Sequence, residues 1–140
     1  MDQVTRFENS MMNLHHAFRL HQSFIRDRYG VSSLEMELIQ FVQNNGPQKM
    51  KAVSEHFRIK LSTLTSIIDK AEENRILKRV NSKEDRRVVF LDVTPKGVKV
   101  YDEYSAFLRE AAGRILGEFS QESFSEFHKG LEAFASIRLD

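Results

Sequence analysis

The sequence predicts a mainly α-helical protein with one small β-hairpin. Apolar residues recur at helical spacing through the first half of the chain, and two short runs rich in β-branched residues follow between about residues 76 and 93. Helical spacing then returns from Pro95 onward. The 140 residues suffice for one hydrophobic core and leave little room for a second independent domain. We therefore expect residues 1–140 to form a single domain.

Two helices are predicted in the amino-terminal third. The first presents apolar or bulky residues at spacings of three and four, and it ends at Tyr29-Gly30. These residues are Phe7, Met11, Leu14, Phe18, His21 and Ile25. The second helix begins with a capping box, because Ser32 is followed three residues later by Glu35, and Asn45–Pro47 ends it.

The middle of the chain predicts two short helices and a hairpin. Met50–Phe57 and residues 61–73 have helical periodicity, and a three-residue turn separates them. The strands at residues 76–80 and 88–93 flank five consecutive charged residues, Lys83–Arg87. Helix, turn, helix and hairpin follow one another in the order of a winged helix-turn-helix. Long helices are predicted after Pro95 and after Ser120, which suits a helix cap.

The charges are segregated along the chain. Residues 49–99 contain 13 Lys and Arg against 7 Asp and Glu, a net charge of +6, whereas the remaining residues have 8 against 13, a net charge of −5. A basic centre between acidic ends indicates a surface for a polyanion. The alternative is chance clustering of charge on solvated faces.

The sequence lacks the residues that several classes of protein require. Without cysteine there is no disulfide, thiolate zinc site or thiol-based sensor. His15, His16 and His21 lack the spacing of three or four that a metal pair on one helix requires, although ligands could converge from separate helices. No Gly-rich phosphate loop or nucleophile elbow occurs. We therefore predict no enzyme activity, no metal and no cofactor.

The sequence also predicts where the protein resides. No apolar run approaches the roughly 18 to 20 residues that cross a bilayer, and the amino terminus lacks the pattern of a signal peptide. We expect a soluble, cytoplasmic protein with no membrane partner.

The terminal helices predict self-association. Eight of the eleven phenylalanines lie in the terminal helical segments, outside the basic centre. We expect residues 1–30 and 98–140 to be dimerisation helices that pack against a second copy of the chain, flanking a lobe at residues 31–97. The alternative is a monomeric bundle in which the apolar stripes meet each other.

The segment Gly46–Gly97 resembles the DNA-binding core of the MarR-type family of bacterial transcriptional regulators. The most specific match is the motif Asp85-x-Arg87, three residues, then Leu91-x-Val93-Thr94-x-x-Gly97. The resemblance implies a homodimeric winged helix-turn-helix protein that binds pseudo-palindromic double-stranded DNA, acts as a repressor and releases its operator when a small-molecule effector binds. The alternative function is a winged-helix protein-interaction module without specific DNA binding.

The chain departs from the family pattern at its helix ends. Lys49 and Lys60 stand where a hydroxyl side chain usually caps a helix in the family, so each helix start should be weaker by about 1 kcal/mol unless another group caps it. Arg58 and Arg75 replace glycines that the family often has in its turns. Either the turns differ locally, or Asn74 takes the left-handed position after the second short helix.

The resemblance assigns DNA contacts to two elements and to flanking lysines. Residues 61–73 form the recognition helix, which lies in the major groove. Its exposed residues are Leu61, Ser62, Thr63, Thr65, Ser66 and Lys70. Because this set has no Arg, Asn or Gln, we expect only modest direct recognition of bases. Phosphate contacts are expected from Lys49, Lys51 and Lys60.

The charged run is predicted to be the tip of the wing, the hairpin at residues 76–93. Lys83, Arg86 and Arg87 would contact DNA there, and the two arginines are long enough to enter the neighbouring minor groove. The resemblance implies that Asp85 braces the wing by pairing with an arginine, so one of the two guanidinium groups would then be structural. Arg87 follows the family motif most closely, with Arg86 beside it. The alternative is a solvated turn with no DNA contact.

Overall fold

A computed structural model describes residues 1–137 and confirms the predicted fold class. The elements are α1 (Gln3–Tyr29), α2 (Ser33–Asn45), β1 (Gln48–Lys49), α3 (Met50–Phe57), α4 (Leu61–Glu73), β2 (Leu77–Asn81), β3 (Val89–Val93), α5 (Pro95–Leu116) and α6 (Gln121–Ser136). One compact unit is Met1–Tyr101, and a second begins at Asp102, within α5. The end of the predicted dimerisation segment, residues 138–140, lies outside the described residues.

The predicted helix boundaries in the first unit are confirmed by their caps. Helix α1 ends at Gly30, whose φ of 68° lies in the left-handed region that glycine tolerates. Helix α2 begins with the predicted capping box. The amide of Glu35 donates to the Ser32 hydroxyl at 3.1 Å, and the amide of Ser32 donates to the Glu35 carboxylate at 3.4 Å. The sequence therefore contained the local signals that divide α1 from α2.

The sheet has three antiparallel strands in the order β1, β3, β2. The predicted hairpin is confirmed, with Arg79 opposite Leu91. Strand β1 was not predicted, because two residues are too few to show the alternation that marks a strand. Its residue Gln48 also lies opposite Leu91, so Leu91 is the centre of the sheet and is fully buried.

The hydrophobic core lies within the first unit. Leu38 and Ile39 of α2, Leu64 and Ile68 of α4, and Leu91 of β3 have no exposed surface. Full burial of a Leu or Ile side chain stabilises the fold by about 1.5 to 3 kcal/mol. Among the described residues of α6, by contrast, none is buried.

Arginine takes the left-handed backbone conformation at both turns that flank α4. Arg58 has φ 53° and Arg75 has φ 59°, whereas Asn74 has φ −76°, so the interpretation that Asn74 takes the left-handed position was wrong. The amide of Arg75 donates to the carbonyl of Glu72 at 2.9 Å, and that of Ile76 donates to Ala71 at 3.0 Å. In this motif the left-handed residue is the second one after the helix, which is Arg75. A side chain there costs about 1 to 2 kcal/mol relative to glycine.

The predicted absence of hydroxyl caps is confirmed at both short helices. Lys49 precedes α3 and Lys60 precedes α4, and neither side chain accepts a hydrogen bond from the helix that it begins. The first amides of both helices therefore lack a partner from the capping side chain. None of the helices within residues 1–137 is both long enough and apolar enough to cross a membrane.

We predict that Gly97→Ala destabilises the fold. A Cβ atom at this position would lie 2.1 Å from the carbonyl oxygen of Ile76 and 2.8 Å from Cγ2 of Val93, so α5 would have to move away from β3. The expected loss in free energy of unfolding is about 2 to 3 kcal/mol. Urea titration at fixed protein concentration measures it.

Gly113→Ala is the matched control, because a Cβ there meets no atom within 4 Å. It should raise the free energy of unfolding by about 0.5 to 1 kcal/mol, since Ala favours a helix over Gly. Equal stability of the two variants would contradict the proposed contact of Gly97 with Ile76.

We predict a pH dependence of stability at Glu35. Burial raises the pKa of its carboxyl, while the Ser32 amide and the charge of Lys70 act in the opposite direction. A raised pKa in the folded state stabilises the fold below the pKa of the unfolded chain, and this contribution disappears as pH rises through the folded pKa. Between about pH 4 and pH 7, the wild type should therefore lose stability relative to Glu35→Gln.

Urea titrations across this pH range test the expectation. Gln at position 35 can still accept the hydrogen bond of the capping box, so the comparison isolates the charge. Glu37→Gln, at an exposed position of the same helix, is the control and should keep the pH dependence of the wild type. Parallel pH profiles for the wild type and Glu35→Gln would exclude this effect.

Candidate nucleic-acid interface

The outer face of α4 is exposed and hydroxyl-rich. Leu64, Ile68 and Ala71 are buried on the inner face, which turns the remaining positions outward. All six predicted recognition residues are exposed: Leu61, Ser62, Thr63, Thr65, Ser66 and Lys70. Leu61, at the start of the helix, is 50% exposed, so its apolar side chain is available for contact with an apolar group.

Two hydroxyls of this face donate hydrogen bonds back to α4. The hydroxyl of Thr65 donates to the carbonyl of Leu61 at 2.8 Å, and that of Ser66 donates to the carbonyl of Ser62 at 3.3 Å. Their hydrogens therefore point toward the helix, and their oxygen lone pairs are available as acceptors. In this rotamer the face presents acceptors to an approaching amino group.

The wing tip is shaped by its own short polar side chains. The hydroxyl of Ser82 accepts from the amides of Glu84 at 3.2 Å and Asp85 at 3.3 Å. The amide of Ser82 donates to Val88 at 2.9 Å, and the Asn81 side chain donates to the carbonyl of Arg86 at 2.9 Å. These bonds hold a compact loop from which Lys83, Arg86 and Arg87 are exposed.

Asp85 pairs with Arg87 at the wing tip. The Arg87 guanidinium donates to the two carboxylate oxygens of Asp85 at 3.1 and 3.3 Å, and the Arg87 amide donates at 3.0 Å. These hydrogen bonds from Arg87 hold the pKa of the Asp85 carboxyl below its usual range. The Arg87 side chain is nevertheless 91% exposed. Asp85 therefore orients the guanidinium without burying it.

A cleft of about 440 Å³ separates the start of α3 and the outer face of α4 from the root of the wing. Its lining residues are Lys49, Met50, Lys51, Leu61, Thr65, Arg79, Arg87, Val88 and Val89. Four of these are cationic and none is acidic, so the lining itself favours an anion, although Arg79 and Arg87 are also paired with carboxylates outside it. The structure thus brings five predicted residues to one cleft. Lys60, Ser62, Thr63, Ser66, Lys70, Lys83 and Arg86 are exposed but do not line it.

Arg79 is the cation lining this cleft that the sequence did not single out. Its guanidinium donates to the carbonyl of Thr65 at 3.1 Å and to the carboxylate of Asp69 at 2.8 Å, and it also binds Glu72. Burial opposes the charge of Arg79, but the hydrogen bonds to the two carboxylates outweigh it and raise the pKa of the guanidinium. The sequence did show a basic residue in a predicted strand and acidic residues in the helix before it. It could not show which face of the strand carries the Arg79 side chain.

The histidines offer no metal centre in the part of the chain that the structure describes. No group of three or more His, Cys, Asp or Glu side chains within residues 1–137 could hold a metal ion. His56 instead stacks on Phe41, with ring centroids 4.2 Å apart, and packs edge-on against Phe57.

Comparisons with known proteins agree with this geometry. The model of the MarR family matches residues 31–89, from just before α2 to the first residue of β3. The chain is 23% identical over 131 residues to the HTH-type transcriptional regulator YsmB of Bacillus subtilis, covering 94% of this chain and 90% of YsmB. It is 24% identical over 96 residues to the HTH-type transcriptional repressor MdtR of the same species, covering 69% of this chain and 62% of MdtR.

A solved structure extends the likeness to almost the entire chain. Streptococcus pneumoniae FabT, in a crystal structure with DNA, matches with a TM-score of 0.82 and 25% identity over 96% of this chain and 95% of FabT. The exposed hydroxyl face of α4, the braced wing and these relatives lead to the same assignment. The chain has the winged helix-turn-helix fold of the MarR family, its residues 31–89 match that family, and the relatives named above are transcriptional regulators.

Proposed function

We propose that the protein is a sequence-specific transcriptional repressor that binds a pseudo-palindromic operator as a homodimer. The observation that carries this proposal is the cationic cleft between α4 and the wing, with exposed polar and basic side chains on both sides of it. MdtR is a repressor and FabT has been crystallised with DNA, and both relatives support the same function.

In the proposed complex, α4 lies in the major groove. Leu61 and the methyl group of Thr65 would contact thymine methyl groups, because the T methyl is the apolar feature of that groove. The acceptor oxygens of Thr65 and Ser66 suit the amino groups of adenine or cytosine. Hydroxyl groups discriminate bases less sharply than bidentate Arg, Asn or Gln, so shape recognition should supply part of the specificity.

The wing would place arginine in the minor groove. Asp85 orients Arg87 at the tip, and Arg86 and Lys83 are exposed beside it. A guanidinium is attracted to the negative potential of a narrow, A·T-rich minor groove. Such a contact selects DNA shape without a base-specific hydrogen bond.

Phosphate contacts would come from the helix starts. Lys49, Lys51 and Lys60 are exposed at or next to the amino ends of α3 and α4, which lack side-chain caps. Amides that no cap satisfies can donate to a phosphate, and the helix dipole favours the negative charge. The missing hydroxyl caps would then be compensated when DNA is bound.

Homodimerisation is proposed from the apolar residues of the terminal helices. In α1, Val4, Phe7 and Phe18 remain more than half exposed, and in α5 and α6 Ile115, Leu131 and Phe134 keep 45 to 54% of their surface. An apolar helix face left exposed in one copy is a candidate protein interface. A second copy would cover it and would bring two α4 helices to half-sites about one helical turn of DNA apart.

Release by a small-molecule effector stays a prediction from the family resemblance. The cleft beside α4 offers a place where a small molecule would act by direct competition, since a ligand between α4 and the wing excludes DNA from the same surface.

A selection from genomic DNA tests the function. Purified protein is mixed with a library of genomic fragments, the retained DNA is sequenced, and the mass of the free protein is measured by sedimentation. We expect a few enriched fragments that share an inverted repeat, retention that weakens with salt, and a dimer. Repeating the selection with Thr65→Val should change the enriched base at one position in each half-site.

If the protein retains no DNA at any salt concentration, the alternative function as a protein-interaction module is favoured instead. A monomer at micromolar concentration would reject the inverted-repeat operator, because one lobe contacts only one half-site.

We predict that Arg86→Ala combined with Arg87→Ala lowers affinity for the selected duplex and flattens its salt dependence. The slope of log affinity against log salt should decrease in magnitude by about one to two, because fewer counterions are released on binding. Arg109→Ala combined with Lys129→Ala, outside the winged lobe, removes the same charge as a control. A slope equal to that of the wild type would show that the wing does not contact DNA.

A further inference from the structure

Arg79 connects the recognition helix to the wing. It lies in the middle of β2, opposite Leu91, and its guanidinium reaches across to α4. There it donates to the Thr65 carbonyl at 3.1 Å and to Asp69 at 2.8 Å, and it also binds Glu72. One side chain thus makes three polar contacts with one face of a neighbouring helix.

The spacing of these partners determines what the contact controls. Thr65, Asp69 and Glu72 are four and three residues apart, so they form one stripe along nearly two turns of α4. The planar, forked guanidinium can bind such a stripe in only a few orientations. Rotation of α4 about its axis, or sliding along β2, would break at least one contact. The angle between α4 and the wing therefore depends on Arg79.

The same contacts change the charge that α4 presents. Residues 61–73 contain Asp69, Glu72 and Glu73 against the single Lys70, a net charge of −2 on the helix expected to approach DNA. The Asp69 side chain is 59% exposed. Arg79 itself lines the cationic cleft beside Thr65 and Arg87, so the carboxylates that it binds lie next to this cleft. Without Arg79 they would repel phosphate there.

We propose that Arg79 is a positioning residue for DNA recognition, which fixes α4 relative to the wing and neutralises Asp69 and Glu72 at the DNA-facing surface. This inference rests on the proposed function. It predicts that Arg79 governs the ratio of specific to non-specific affinity, because α4 and the wing must fit the two grooves at the same time.

Four variants separate the two effects. Arg79→Gln removes the charge and the clamp, whereas Arg79→Lys keeps the charge and loses the fork. Asp69→Ala combined with Glu72→Ala removes both carboxylates and releases Arg79. Lys78→Gln is the matched control, because it removes the same charge from the adjacent position of β2, which faces the opposite side of the strand.

Affinity is measured by fluorescence anisotropy for the duplex selected from genomic DNA and for a scrambled duplex of equal length. Thermal unfolding of each variant is followed by circular dichroism, and binding is compared only at temperatures where the variant is folded.

We expect Arg79→Gln to weaken binding to the selected duplex by about tenfold and to reduce the ratio of specific to non-specific affinity. Arg79→Lys should bind the scrambled duplex with the affinity of the wild type, but its ratio of specific to non-specific affinity should remain low. The double alanine variant should bind the scrambled duplex more tightly than the wild type, and its ratio should also fall. Lys78→Gln should keep the ratio.

An unchanged ratio in both Arg79→Gln and the double alanine variant, with wild-type folding, overturns the inference. If the wild type itself shows no preference for any selected duplex, the proposed function fails instead. The two failures are therefore distinguishable, and the double alanine variant tests the idea even where Arg79→Gln does not fold.

Discussion

Burying one face of α4 fixes the arrangement of the strands and helices around it. Leu64, Ile68 and Ala71 pack inward against a core that includes Leu77 of β2 and Leu91 of β3. Because an α-helix has a fixed angular period, burying these three positions turns the hydroxyl-bearing positions outward. The same packing sets α4 on the first strand of the wing, so the surface that we propose for DNA binding follows from where the apolar side chains must go.

Electrostatics then refines a surface that packing has created. Arg79 offsets the carboxylates of α4, and Asp85 orients Arg87 at the wing tip. Both pairs are partly or largely solvated, and such pairs contribute little to the stability of a fold. Their consequence is geometric, because each one limits the directions in which a cationic group can point. Geometry of this kind matters more for selecting a DNA site than for holding the protein together.

The ends of α3 and α4 show that local stability was not optimised. Arg58 and Arg75 take left-handed conformations that glycine would adopt at lower cost, and Lys49 and Lys60 leave helix starts uncapped. The turns keep their geometry because tertiary packing overrides the local preference. Ile76, for example, must enter the core directly after Arg75. The result is a basic lobe whose turns and helix starts carry cations where glycine or a hydroxyl would have been more stable.

The sequence could predict most of the fold, because its signals are local. The capping box at Ser32 and Glu35, the change of period at the wing and the apolar stripe of α4 each lie within a few turns of chain. The motif from Asp85 to Gly97 added the resemblance to the MarR family. Strand β1 was missed because two residues are too few to show a period. The left-handed conformation of Arg75 was missed because it follows from how α4 meets the core. No local pattern encodes either.

Sequence alone thus indicated which residues are apolar, where most of the helices begin, and that the basic residues cluster in the middle. That Arg79 faces α4 and binds Asp69 and Glu72 became visible only once the strands and helices were packed together. These contacts depend on strand facing, register and the angle at which elements cross. Such quantities are set when distant segments pack, and a one-residue shift in register would have placed Arg79 on the opposite side of β2.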